Sequence, residues 1–523
     1  MFEKIIIFFL INLYFNLLVI TCYSIEAIYE TTEPNQNISI FRSFCNITNL
    51  EIDGKSVKIH SDDRYHYFYY NIFEKAGRHI MHISIDLLEC DYLAAFFDYV
   101  INLVSVKFTD EFKNNKIFST SSLFAGCSNL TSIDISNLNT EYVRNMDSMF
   151  SNCEKMNSIN LSNFNTKNVT SMQRMFIGCS SLTSIDLSKF DTSKVTRIEG
   201  MFWGSKSLTS IDISNFDLSK ITSLEQMFEG CESLFSIKLP KISNITVSTY
   251  FMFDGCKSLY SLDFSNFHIN MGWDSCRMFN GCKSLTSIDL STITSNGTDN
   301  LQEMFSGCIS LKSIDISHFN ISKTRCFYRM FKNCYSLTSL KLPKANIPTL
   351  ENISEMFSGC LSLTSIDFSI SNNNNFLIMD NLFSNCSSLT SLDLSSLNTG
   401  SVTNMDGVFY RCLNLEYLDI SNFSTKNVNS MNYMFYECES LSSLILINFD
   451  TRKVLRMNYM FYGCSNLKYL DISSFSKPPS ALSINYFIPE IGGHIKLKKE
   501  FYNELINKTK SNNITHWEIQ FAN

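Results

Sequence analysis

The chain has 523 residues, a net charge of −7 and only 18% charged residues. This acidic balance excludes a nucleic-acid partner, which requires a basic face to displace counterions. Length alone would suggest about three or four domains, but an internal repeat replaces that count with a single array.

At the N-terminus, Lys4 precedes a run from Ile5 to Ile20 that is apolar except for Asn12 and Asn16. Small residues follow at Cys22 and Ser24, so residues 1–24 read as an export signal peptide. The run is short of the about 20 residues of a membrane span. Retention as an anchor and lipid attachment at Cys22 are the alternatives to cleavage. No second long apolar run follows, and the chain ends in polar THWEIQFAN. The expectation is a secreted or cell-surface protein with no transmembrane span beyond the signal.

Residues 25–88 carry no repeat. Asp53-Gly54 lies between alternating runs, a hairpin signal. GRHIMHISID alternates as a further strand, with His79 and His82 on opposite faces, which argues against a metal site there. The segment is predicted to be an N-terminal β cap, of the kind that shields the open end of a repeat stack.

From 89 to 475 the cysteines mark the period. Cys127, Cys153 and Cys179 are 26 apart, Ser205 replaces one, and Cys231 resumes the count. After a 25-residue step to Cys256, the series runs through Cys282, Cys308, Cys334, Cys360, Cys386, Cys412, Cys438 and Cys464. That makes fourteen repeats, with a degenerate one before them in FFDYVINLVSVKF. In each repeat, Met146, Met149, Phe150, Cys153 and Met156 follow spacings of three and four, which predicts a short helix with one buried face. LTSIDIS alternates as a half-buried strand, with Leu130, Ile133 and Ile135 inward. The predicted fold is an α/β solenoid: a leucine-rich-repeat horseshoe with parallel strands on the concave face and short helices on the convex face. Residues 476–523, after the break at KPPS, supply a strand, a helix and a strand as a C-terminal cap.

The pattern F-x-x-C-x-x-L-x-x-I-x-L-P at Phe228 to Pro240 and Phe331 to Pro343 resembles BspA-like leucine-rich repeat surface proteins. The form MF-x-G-C-x-S-L-T-S-I-D-L-S-x-F-D-T-S-x-V, from Met175 to Val195, is similar to that family's 26-residue surface-protein branch. The resemblance spans about residues 77 to 475. It implies a microbial adhesin-like binding protein without catalytic residues.

The ladder cysteines are expected to pack as buried free thiols, whereas Cys45 and Cys90, outside the ladder, are the disulfide candidates. On the strand face, Asp134, Asp186, Asp212, Asp263, Asp289, Asp315, Asp367, Asp393, Asp419 and Asp471 form a column beside a column of serines. Asn160, Lys238, Lys341 and Ile445 take the aspartate's place elsewhere. Carboxylates about 5 Å apart repel by about 0.8 kcal/mol in water. The column therefore needs relief from serine hydrogen bonds, from the lysines, or from bound cations such as calcium. A second candidate surface is an aromatic patch: Tyr410, Tyr436 and Tyr462 follow the Phe of successive predicted helices, and Tyr433 and Tyr459 lie just before the Met.

No GxSxG, HExxH or phosphate-binding glycine loop appears in a suitable context, so neither an enzyme nor a cofactor or metal is predicted. The expected function is binding or adhesion to an extracellular protein or glycan. A self-associating coat or matrix component without a discrete ligand is the alternative.

Overall fold

The computed structural model describes residues 22–42, 46–57, 60–61, 68–86, 92–368, 370, 378–476, 483–508 and 513–522. The chain divides into two compact units, Met1–Ile221 and Thr222–Asn523.

The first unit begins with antiparallel strands. β1 (Cys22–Thr31) pairs in antiparallel register with a later strand, Gly77–Asp86, over ten residue pairs. Gly77–Asp86 alternates as its sequence predicts: His79, Met81, Ile83 and Ile85 are buried, while Arg78, Ile80 and His82 are exposed. The hairpin at Asp53-Gly54 is present, with φ of 51° and 73°, and the Asp53 carboxylate lies 2.8 Å from Nδ1 of His79. The other edge of β1 pairs antiparallel with Leu103–Phe108, which then runs parallel to Ser132–Asp134 of the next coil. β1 is thus the junction between an antiparallel sheet and the parallel array.

The repeats wind as a parallel β-solenoid of about fifteen turns with little helix. In most coils where the strand is formed it is three residues long, as at Ser313–Asp315 beside Ser339–Lys341. Its middle residue is buried, Ile314 for example, and the two flanking residues face outward. The apolar stripe Met146, Met149, Phe150, Cys153 and Met156 is fully buried.

Among the described residues of the repeats the expected convex helices are absent; the stripe is made by consecutive tight turns. Ser148 and Asn152 both sit in the left-handed region at φ 55°, and the N–H groups of Ser151 and Cys153 bond the carbonyls three residues back. The intervening N–H groups reach the next coil: Ser148 to Gln173, Phe150 to Met175 and Asn152 to Ile177, at 2.6 to 2.9 Å. Packing explains the choice. Phe124, Phe150 and Phe176 stack at 5.7 and 5.4 Å in the first unit; Phe253, Phe279 and Phe305 stack at 5.5 Å in the second. An α-helix about 10 Å across cannot repeat at that spacing, whereas an extended or turned backbone at about 4.8 Å can. The helices were the ground for a horseshoe, and that ground is gone.

A buried threonine column closes another corner. Thr140 Oγ1 accepts the N–H of Asn165 at 2.8 Å and donates to its carbonyl at 3.2 Å. Thr166 and Thr192 repeat this in the first unit, and Thr399, Thr425 and Thr451 in the second. Each hydroxyl satisfies two backbone groups at a turn that has no strand partner.

At the C-terminal end, Tyr469–Ile472, His494–Leu497 and Glu518–Phe521 run parallel in one sheet. The helix α1 (Lys499–Lys508) connects the last two and is the only α-helix among the described residues. The KPPS break lies outside the described residues. Among the described residues no helix is long and apolar enough to cross a membrane.

Candidate functional site

The aspartates of the strand face close a local turn. In nine of the ten, Asp Oδ1 accepts the backbone N–H of the serine two residues on, at 2.8 to 3.2 Å. At Asp134, Asp212 and Asp315 it also accepts that serine's hydroxyl. Asn160 makes the same bond to Ser162 at 3.0 Å. This is an Asx turn, in which a side-chain oxygen stands in for a carbonyl at the corner. For Asp367 the corresponding serine, Ser369, lies outside the described residues.

The bonds draw the pKa values down. The Ser188, Ser265 and Ser291 N–H groups hold Asp186, Asp263 and Asp289 below the ordinary carboxylate range. At Asp134 and Asp393 the serine hydroxyl is the larger cause. Lysines supply the rest of the relief: Lys341 Nζ is 2.9 Å from Asp315 and Lys344 Nζ 2.7 Å from Asp367. Serine bonds and interspersed lysines are therefore both observed. Among the described residues no group of three or more metal-ligating side chains gathers. Asp471 departs from the expected open face: it is buried, because the cap strand His494–Leu497 lies against it and Lys496 Nζ sits 3.4 Å away.

The tyrosines assemble into two columns on the turn side of the last coils. Tyr410, Tyr436 and Tyr462 stack at 4.9 and 5.5 Å. Tyr433 and Tyr459 stack at 5.2 Å, and Tyr486 extends that column at 4.9 Å. Edge-to-face contacts join the columns, at 5.7 Å for Tyr433–Tyr436 and 5.8 Å for Tyr459–Tyr462. Burial, then the neighbouring Glu437, pushes the Tyr436 hydroxyl up to about 12. Tyr433, Tyr459 and Tyr486 have φ between 50° and 59°, at a position where Gly407 stands one coil earlier with φ 60°. Left-handed backbone costs a non-glycine residue about 1–2 kcal/mol, and a stacked pair returns about 0.5–1.5 kcal/mol. The two nearly cancel, so backbone geometry alone gives no reason for tyrosine over glycine here.

Tyr486 was not anticipated, since it follows Tyr459 by 27 residues rather than 26. The same turn position carries an unanticipated charge ladder. Arg277 lies 3.2 Å from Asp254 and 3.3 Å from Glu303, and Arg329 lies 2.7 Å from Glu355. Its signal was the sign alternating at that position along successive repeats, Arg277, Glu303, Arg329 and Glu355.

The thirteen ladder cysteines are buried and free. Cys360 Sγ donates to the Phe331 carbonyl at 3.2 Å, and Ser205 Oγ makes the equivalent bond to Phe176 at 2.9 Å. Cys45 and Cys90 lie outside the described residues.

A family model described as "Mycoplasma protein of unknown function, DUF285" matches residues 95–186, 118–238, 160–262, 247–371 and 351–475. Solved structures similar to this chain include a leucine-rich repeat protein from Eubacterium ventriosum, at 15% identity and a TM-score of 0.26. That match covers 71% of this chain and 84% of the other. Another is the mouse RP105/MD-1 complex, at 16% identity and a TM-score of 0.22, covering 77% of each chain. Among curated protein sequences none matches.

Proposed function

The chain belongs to the DUF285 repeat family, and from that premise we propose that it is a secreted or cell-surface binding and adhesion protein. Its solenoid surface holds an extracellular protein or glycan partner through many small contacts. The observation that carries this reading is the double tyrosine column. Its six half-exposed rings occupy turn positions that do not require them, and stacked tyrosines offer rigid apolar area with a polar tip. The resemblance of the Met175 to Val195 repeat to BspA-like surface proteins, and the export signal read in residues 1–24, point the same way.

The aspartate column remains a second binding surface for a cationic or basic partner, since seven of its ten members are exposed, Asp315 and Asp367 beside lysines. A coat or matrix component that associates with itself is the alternative function; the exposed Ile445 and Ile447 on the strand face favour it.

The test combines labelling of intact producing cells with binding of the purified chain to glycan arrays and immobilised extracellular proteins. Surface labelling is expected, with binding abolished by Tyr436→Ser plus Tyr462→Ser. Asp289→Asn, Asp315→Asn and Asp367→Asn together should leave it unchanged. An unlabelled cell surface, or binding indifferent to the tyrosine changes, overturns the assignment.

A further inference from the structure

The strand face is polar over most coils; Phe235 and Tyr260, stacked at 6.2 Å, interrupt it in mid-array, and a larger apolar group lies near its C-terminal end. Positions that hold Ser, Asp and Ser elsewhere hold Tyr417 in one coil, Ile445 and Ile447 in the next, and Tyr469 in the one after. Tyr417, Ile445 and Ile447 are 59%, 58% and 55% exposed, in the range of fully presented side chains. They border a shallow recess of 340 Å³. Large apolar residues displayed together on an otherwise polar face mark a contact surface.

Tyrosines flank the Ile445 coil on both sides, Tyr417 exposed and Tyr469 half-buried beside the cap strand. Along the column of Ser443, the coil on either side carries a tyrosine at the same place, Tyr417 before and Tyr469 after. The charges beside the tyrosines are antisymmetric about the Ile445 coil, whereas in the aspartate column Asp419 and Asp471 flank it with the same sign, Asp471 buried beside Lys496. Glu416 precedes Tyr417 and Lys468 precedes Tyr469. Both are exposed, and among the described residues neither has an ion-pair partner. Two coils out, Asp393 lies on one side and Lys496 on the other, in the aspartate column.

We infer that this face is a homodimer surface, in which a second copy of the chain docks about a two-fold axis lying along the Ser443–Ile445 strand. That operation reverses the order of coils and preserves position along the strand. It lays Ile445 on Ile445, Ile447 on Ile447 and Tyr417 on Tyr469. It also sets Glu416 of each copy against Lys468 of the other. An isologous interface requires this kind of self-complementarity, and opposite charges at its rim select the orientation. A dyad along the stack would instead keep the order of coils and place the Glu416 coil of each copy opposite the same coil of the other, away from Lys468. The inference holds whichever reading of the protein's wider function is correct.

The test is sedimentation of the full chain over a concentration series. The wild type is expected to dimerise reversibly, more weakly as salt is raised. Ile445→Asp with Ile447→Ser installs the residues that other coils carry at these positions and closes the turn, so the fold should melt no lower than the wild type. This pair should raise the dimer dissociation constant at least about tenfold. Lys468→Glu should weaken the dimer, and Glu416→Lys added to the same chain should restore it. A monomeric wild type at all soluble concentrations overturns the proposal and leaves the patch to a different protein. So does a dimer that ignores the isoleucine changes, and failure of the charge exchange to restore it rules out the two-fold axis proposed.

Discussion

Thiol chemistry gives the sharpest test of how the coils are held. Alkylation replaces any need for mutation: the full chain is treated with iodoacetamide at pH 8 and its cysteines are mapped by peptide mass. A thiol at the ordinary value of 9.0 is about one-tenth ionised at that pH. Burial pushes Cys360 up to about 12, and likewise Cys179, Cys308, Cys412 and Cys464. At that value about one thiol in 10,000 is a thiolate at pH 8, a thousandfold slower reaction before access is considered. Each of these sulfurs is fully shielded and turned toward a backbone carbonyl, so labelling must wait for the coil to open. Cys326, half-buried and off the ladder, is the internal reference and should label first. In denaturant without reductant all thirteen ladder cysteines should react. Neighbouring coils bring these cysteines to about 5 Å, close enough to bridge, so the result is not trivial. Native labelling of any ladder cysteine within tenfold of Cys326, or fewer than half of them free after denaturation, refutes the reasoning.

Two further outcomes are expected. Thr425→Val preserves shape but strands the Asp450 N–H and carbonyl that the hydroxyl joins at 2.6 and 2.9 Å, at about 1–3 kcal/mol. Thr425→Ser loses only a methyl group, at about 1 kcal/mol; amide exchange at Asp450 with denaturant melts decides, and a serine variant weaker than the valine one would mean the column is mere packing. For the strand face, Asp186, Asp263 and Asp289 titrate below their ordinary 3.8 because serine N–H groups favour the carboxylate. A depressed folded-state value stabilises fully above 3.8 and is lost as pH falls through the folded value, so these groups leave Tm level from pH 7 to 5 and lower it below about pH 4. Asp289→Asn with Asp263→Asn keeps the turn, as Asn160 does, and should flatten the acid limb; superimposable acid curves would exclude these carboxylates as its source.

Much of the architecture was legible because a 26-residue period repeats the same inward residues. Met149, Phe150 and Cys153 were identified as core by spacing, and they are core. Their backbone was misread because two successive tight turns place apolar residues at intervals of three and four just as one helical face does. The contrary signal was present: glycine stands before the cysteine at Gly178, Gly230, Gly281 and Gly307, each with φ near 70°. A glycine in most of the supposed helices weighs against helix at about 1 kcal/mol each, and summed over the stack that outweighs the spacing. What the period cannot report is what lies beyond it. Asp471 is buried by a cap strand whose position no repeat dictates, and Tyr486 joins a column after a 27-residue step.

The same reasoning locates function. A residue that obeys the period is explained by the coil: Asp289 by its turn, Thr425 by its corner, Cys360 by its carbonyl. Selection for folding alone would keep such positions alike along the array, because each coil meets nearly the same neighbours. Departures from the period that the coil does not require are therefore the informative residues. Ile445 and Ile447 present apolar surface to water where aspartate and serine would close the turn, and Tyr433 and Tyr459 place rings at a left-handed position that earlier coils fill with Ser148, Arg277 or Glu303. Neither departure improves its own coil, and both fall in the same stretch, from about residue 410 to 486. A binding surface laid over a uniform scaffold has that signature, so the last coils are where partner contacts are to be sought first.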